Sequence, residues 1–168
     1  MERMNNPMPH PPWFRLDDRL IHGQVTVGWR QHLRFEQIWV VDDALGADPV
    51  MRDVLALAAP PDVRVRVCPV QEAARALRAG EGGERCLVLL QSPAAALALI
   101  CAGLPLKEIT VGNVSAGPGS KRVFKSVSLT PVQAAALDDL SARGVRVTFQ
   151  QTPDDQAVAW SVLRGRIL

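Results

Sequence analysis

Residues 86–106 read CLVLLQSPAAALALICAGLPL, a run as long as a membrane-spanning helix with no charged side chain in it. How that run divides decides the fold. Gln91-Ser92-Pro93 interrupts it, and these are the residues of a strand end followed by a helix start. The Ser92 hydroxyl can satisfy an orphan N–H of a first helical turn, and proline at the first helical position has no N–H to leave orphaned. The run is therefore read as two buried elements in succession. Arg85 to Leu90 (RCLVLL) is nearly continuous in apolar residues, as a central strand of a parallel sheet is, and a helix follows it. A soluble chain is expected.

The same alternation extends in both directions. Phe14 to Leu16, Phe35 to Val41, Val63 to Cys68, Glu108 to Gly112, Val127 to Leu129 and Val145 to Phe149 supply six further strands. VRVRVC and VRVTF alternate with period two, as half-buried or edge strands do. Between the strands, Asp48-Pro49, Thr130-Pro131 and Thr152-Pro153 repeat the capping oxygen and proline of Ser92-Pro93. Thr130-x-x-Gln133 has capping-box spacing, with Val132, Ala136, Leu137 and Leu140 expected on one face. Gly80, Gly103 and Gly144 stand where left-handed helix stops belong. A last helix is expected after Thr152, with Asp154 and Asp155 in its first turn and Arg164 and Arg166 in its last. Strands joined by helices in this way give a single α/β domain, a mostly parallel sheet with helices on both faces. The domain is expected over residues 13–168, after a flexible tail of residues 1–12 that holds His10.

Composition agrees. A chain of 168 residues, 48% hydrophobic and 21% charged, has the size and make-up of one globular domain. The formal net charge is +2 with the signs interleaved, which gives no reason to expect nucleic acid or a membrane surface as partner. Cys68, Cys86 and Cys101 lack CxxC spacing, so neither a disulfide scaffold nor a cysteine metal site is expected, and the thiols are read as reduced and cytosolic.

In an open α/β sheet, ligands bind at the carboxyl ends of the strands. The loop after the first strand is the most heavily functionalised. Asp17-Asp18-Arg19-Leu20-Ile21-His22-Gly23-Gln24 packs two carboxylates, a guanidinium and an imidazole into six residues, just before a helix starting near Gly23. An imidazole there faces free N–H groups and the positive end of the helix dipole, an environment that would hold an anionic phosphohistidine. Arg19 can offer a planar fork to phosphate oxygens. One carboxylate can fix the tautomer of His22 while the other holds Arg19, and Gly23 lets backbone approach a phosphate. Spacing alone leaves open a second reading, in which the aspartates end a strand and cap a turn, and Arg19 and His22 are solvated. Gly112 to Gly119, GNVSAGPG, is a second glycine-rich loop without nucleotide-motif spacing, followed by Lys121, Arg122 and Lys125 as a cationic rim or a solvated loop. Asp42-Asp43 is read as a capped loop rather than a cation or ribose site, and His32 as a surface residue of the helix.

Arg15 to Val25, RLDDRLIHGQV, resembles the active-site stretch of the IIB domains of the mannose/fructose/sorbose class of the bacterial phosphoenolpyruvate-dependent sugar phosphotransferase system. IWVVDDALGADPVMRDVLALAAPPDVRV resembles that family's second strand, helix and third strand, and Ile109 to Val114 resembles the entry to its second active-site loop. The resemblance runs from about Phe14 to the C-terminus. It implies a seven-stranded parallel sheet and a phosphoryl relay. The histidine matching His22 would take a phosphoryl group from a phosphohistidine on a IIA protein and give it to a sugar held by membrane IIC and IID subunits. Arg19 and Asp17 match residues of the same active loop. Asp18, Gly23, Gln24, Asn113 and Ser115 are taken as phosphate- or loop-binding positions, with no metal and no cofactor. The chain would be cytoplasmic, at the inner face of the membrane through its partners, with a homodimer possible. After Asn113-Val114 the family pattern has a glycine pair, a methionine and a basic or aromatic stretch, where this chain has Ser115-Ala116-Gly117-Pro118-Gly119-Ser120. That departure bears on partner docking and keeps a second function in view, a regulatory phosphoprotein whose acceptor is a protein. A ligand-binding module with a decayed active site is the third.

Overall fold

The computed structural model describes residues 12–83 and 85–167. The charge-free run divides as the Ser92 cap requires: strand β4 (Cys86–Leu90) is buried at every residue, and helix α5 (Pro93–Cys101) starts at Ser92, whose hydroxyl accepts from Ala95 N–H at 3.3 Å. Among the described residues no helix is long and apolar enough to cross a membrane.

Around β4 the chain lays down β1 (Trp13–Asp17), β2 (Gln37–Val41), β3 (Arg64–Cys68), β5 (Glu108–Asn113), β8 (Arg146–Phe149) and β9 (Val158–Ala159). Their order is β3-β2-β4-β1-β5-β8-β9, all parallel except β9, which runs antiparallel to β8. β6 (Lys121–Phe124) and β7 (Val127–Leu129) form a separate antiparallel hairpin. The sheet thus has seven strands, but Val127–Leu129 is not one of them. Its place is taken by the two-residue β9, which is too short for a period-two pattern to reveal.

Helix α1 spans 24–33, a wide-turned segment Gln24–Trp29 running into a regular turn Arg30–Leu33. Helices α2 (Asp43–Ala47), α3 (Pro49–Ala58), α4 (Val70–Arg78), α6 (Pro131–Ala142) and α7 (Trp160–Leu163) complete the chain. Asp42 caps α2, Asp48 caps α3, and Thr130 with Gln133 closes a full capping box on α6. The buried face of α6 is Ala134, Leu137 and Leu140, while Val132 points to solvent. Gly80, Gly103 and Gly144 all adopt positive φ.

The expected helix after Thr152 does not form. Residues 152–155 make a turn instead, Asp155 accepting from Thr152 N–H at 2.9 Å while its own N–H donates to the Thr152 carbonyl. Gln150 Nε2 gathers the carbonyls of Pro153 and Asp155 into the same turn. Helix begins only at Trp160, which stacks on Phe149.

Alternation in the central strands divides the core in two. Trp39, Val88, Leu90, Leu16 and Val111 face one side, under α4, α5 and α6. Ile38, Val40, Leu87 and Leu89 face the other, where Val25 and Trp29 of α1 cover them. The connection leaving β1 therefore runs over one face, and those leaving β4 and β5 run over the opposite face. The carboxyl end of β1 lies where these connections part, the crevice in which open α/β sheets bind ligands. The tail expected over residues 1–12, with His10, lies outside the described residues except for Pro12.

Candidate functional site

The site grows from the last residue of β1. Period two puts Leu16 into the core under α5 and turns Arg15 and Asp17 toward α1. Asp17 is wholly buried, and its carboxylate is the meeting point of the loop. Arg19 approaches it as a fork, Nε to Oδ1 at 3.1 Å and Nη2 to Oδ2 at 3.2 Å, and its backbone N–H donates to Oδ1 as well. His22 Nε2 lies 3.0 Å from Oδ2. Burial pushes the Asp17 carboxyl up, but the hydrogen bonds from His22 and Arg19 and the positive charges around it outweigh that and hold it below the ordinary carboxylate value. An ionised carboxylate only accepts, so the His22 nitrogen facing it carries the proton. Nδ1 is then the ring nitrogen with a free lone pair, and among the described residues nothing hydrogen-bonds to it.

Local backbone explains why the loop presents this ring. The chain turns at 17–20, where Leu20 N–H donates to the Asp17 carbonyl at 3.0 Å and Leu20 takes φ +59°. That conformation costs a leucine about 1–3 kcal/mol. Burial of the Leu20 and Ile21 side chains in the core beside α1 offsets it, at about 1.5–3 kcal/mol for each large apolar side chain. His22 then stands at the mouth of α1, its carbonyl accepting from Val25 and Thr26 N–H, its side chain 18% exposed. The wide-turned geometry of Gln24–Trp29 is of a kind found disproportionately at functional sites. Gln24 reaches back to accept from Arg19 Nη2 at 3.0 Å. Gly23 is exposed, and a side chain there would meet nothing within 4 Å, so backbone at this position is open to an incoming group.

The two aspartates divide the work. Asp18 turns away from His22 and ties the first loop to the second: its Oδ1 accepts from Asn113 Nδ2 at 2.6 Å and its Oδ2 from Ser115 N–H at 2.7 Å. Asn113 and Ser115 are thus brought to the site as loop fasteners, through Asp18, rather than to the imidazole. Beyond them, Gly117-Pro118-Gly119-Ser120 closes a tight turn, with Ser120 N–H donating to the Gly117 carbonyl and φ +73° at Gly119. Proline followed by a positive-φ glycine is the sequence such a turn selects. Lys125 pairs with Asp155, while Lys121 and Arg122 stay exposed on the hairpin. Asp42 caps α2 and Asp43 accepts from Val70 N–H, so that pair is a capped loop. His32 is exposed, edge-on to Trp29. Among the described residues no cluster of three or more His, Cys, Asp or Glu is placed to hold a metal. Cys68 and Cys86 are buried in the core, burial pushing their thiols up to about 11 and about 12.

Sequence reasoning passed over Arg15. It is 2% exposed, donates to the carbonyls of Gln150 and Gln151 at 3.0 Å each, touches Asp17 at 3.5 Å and lies 4.6 Å over the Trp29 ring. The signal was available: an arginine beside Leu16 in a five-residue central strand has to be buried on the face opposite that leucine.

The family of the PTS system sorbose subfamily IIB component matches residues 12–166. The N-acetylgalactosamine-specific phosphotransferase enzyme IIB component 2 of Escherichia coli is 30% identical over 151 residues, 90% of this chain and 96% of that protein. The mannose-specific EIIAB component of Escherichia coli is 32% identical over 154 residues, and the chain spans 48% of its length. The IIBSor domain of the sorbose permease of Klebsiella pneumoniae superposes with a TM-score of 0.79 at 30% identity, over 90% of this chain and 93% of that one. Sequence pattern, sheet order and these likenesses converge, and the chain belongs to the sorbose-subfamily IIB components of the sugar phosphotransferase system.

Proposed function

We propose that the chain is a phosphoryl carrier that accepts at His22 Nδ1 and passes the group on to a sugar. The observation that carries this reading is the Asp17–His22 contact. It holds the proton on Nε2 and leaves the Nδ1 lone pair free, on a ring at the mouth of α1 whose Asp17 partner also holds the Arg19 guanidinium. In the first step that lone pair attacks phosphorus on the donor phosphohistidine. The donor P–N bond breaks, its electron pair returns to the donor imidazole, and a new P–N bond forms on His22. The ring nitrogen facing Asp17 keeps its proton, so the phosphorylated ring carries positive charge against the carboxylate. In the second step a sugar hydroxyl oxygen attacks phosphorus, the His22 P–N bond breaks, and the hydroxyl proton leaves to a base. Positioning and charge neutralisation are what phosphoryl transfer asks of the protein, and the loop supplies both.

The donor is a IIA protein, a reading supported by the fusion of A and B components in the mannose-specific relative. The acceptor is a sugar held by membrane IIC and IID subunits, so residues 13–168 work as a cytoplasmic IIB domain at the inner face of the membrane. The test is to charge a IIA partner from phosphoenolpyruvate, add this protein, and look for an acid-labile phosphoryl group by intact mass. Wild type is expected to gain it and His22→Ala not to. A charged partner that leaves the wild type unmodified would end the relay reading.

A further inference from the structure

Arg15 is an expensive residue in its position. Removing a guanidinium from water is costly, and a buried ion pair is weak evidence of stabilisation, because an apolar side chain of the same size usually serves the fold as well. Here the arrangement is costlier still, since Arg15 Nε is buried without a hydrogen-bond partner. Burial lowers the guanidinium to about 10, the Asp17 charge pulling the other way, so it stays charged at neutral pH.

The surrounding chain is shaped to accept it. Pairing of β1 with β5 runs Arg15 to Thr110 and Leu16 to Val111, then skips to Asp17 with Asn113, so Gly112 is an extra, bulged residue. A Cβ on Gly112 would stand 1.9 Å from Arg15 Nη2. The carbonyls of Gln150 and Gln151 point inward onto Nη1 and Nη2, and Trp29, which donates to the same Gln151 carbonyl at 3.0 Å, closes the remaining face. A bulge, a loop and a helix thus converge on one cation whose charged neighbours, among the described residues, are Arg19 and the carboxylate that holds His22.

We propose that Arg15, seated by Gly112 and the 150–151 carbonyls, is a positioning residue for phosphoryl transfer: through Asp17 it fixes the His22 tautomer and shares the carboxylate charge. The inference rests on the reading of His22 as the phosphoryl acceptor. Asp17 undivided would draw a second proton onto the imidazole, and an imidazolium has no lone pair to attack with. Arg15 at 3.5 Å and Arg19 at 3.1 Å share the charge of that carboxylate with the ring nitrogen that faces it.

The experiment has two readouts. Nitrogen NMR of the His22 imidazole gives the tautomer and needs no partner protein, while the pH–rate profile of phosphoryl acceptance from a charged IIA protein reports the nucleophile. Wild type is expected to hold its proton on Nε2. Arg15→Met is expected to mix the tautomers, to slow acceptance at neutral pH by roughly 10–100-fold, and to move the acid limb of the profile up by roughly half to one pH unit. Arg15→Lys, which keeps the charge without the fork, restores the acid limb and only part of the rate. Gly112→Ala reproduces the Arg15→Met profile in the wild-type background and adds little in the Arg15→Met background, where no guanidinium is left to displace.

A wild-type tautomer and acid limb in folded Arg15→Met would overturn the inference. If that variant does not fold, an acid limb shifted in Arg15→Lys, or losses from Arg15→Lys and Gly112→Ala that simply multiply, would do the same. If wild type itself takes no phosphoryl group, the relay reading falls and the tautomer comparison still decides whether Arg15 acts through Asp17.

Discussion

Replacing Asp17 by Asn tests the site and the fold together. The side chain keeps its volume and one acceptor, but it puts an amide NH₂ among donors already aimed inward: Arg19 Nε, Nη2 and N–H, Arg15 Nη2 and His22 Nε2. Removing one partner of a buried charged cluster costs about 3–5 kcal/mol. Arg19 is one-third exposed and can turn to water, so about 3 kcal/mol is expected. In a domain of this size that lowers the melting temperature by about 6–12 °C and the urea midpoint by about 1–2 M. The effect has a pH signature. The folded carboxyl is held below its unfolded value, so its stabilisation is fully present above about pH 4–5 and is lost as pH falls through the folded value. Urea unfolding from about pH 7 down to pH 2.5 should therefore show the gap between wild type and Asp17→Asn narrowing with acid, and acceptance at His22 should fall with the stability. A variant as stable as wild type at pH 7, or a gap that widens in acid, would refute the assignment of Asp17 as an ionised hub.

Further predictions follow from local geometry. Leu20→Ala and Leu20→Gly both lose the buried side chain, but glycine tolerates φ +59°, so the glycine variant should be the more stable by about 1 kcal/mol in chemical denaturation, reversing the usual order. Thr130→Ala removes one half of the α6 capping box and should cost about 1 kcal/mol by the same assay. His32→Ala should leave phosphoryl acceptance unchanged, since its ring is exposed on α1, T-shaped against Trp29; a large loss would move the chemistry to that helix face.

Much of this molecule is written locally. Ser92, Asp48 and Thr130 announce helices through chemistry confined to four residues, and each cap is seen. Thr152-Pro153 carries the same signal and does not become helix, because Gln150 and Asp155 hold the segment as a turn while Arg15, 135 and 136 residues away in sequence, draws on the carbonyls of Gln150 and Gln151. No window of sequence around 152 contains that information. The departure of Val127–Leu129 from the sheet has a similar origin: Val114 and Val127 bridge directly, so β7 is fixed by a loop contact and its hairpin partner rather than by its own pattern. In the active loop, residue types were legible and their partners were not. Two adjacent aspartates look alike in a sequence, and only the direction of the strand makes Asp17 the hub and Asp18 the fastener.

The placement of β4 also bears on how the chain reaches this state. CLVLL is the five-residue strand most prone to self-association, apolar throughout and without a proline or a charge to discourage pairing with other chains. Its two neighbours in the sheet are β1 and β2, and both precede it in the chain. Domains assemble during synthesis from the amino end, so this segment leaves the ribosome after both of its partners. It needs nothing downstream to complete its hydrogen bonding. A permuted chain opened in the turn at residues 80–83 would begin with that segment and have to wait for both neighbours. The order of elements in the gene thus protects the least soluble part of the protein before any chaperone does.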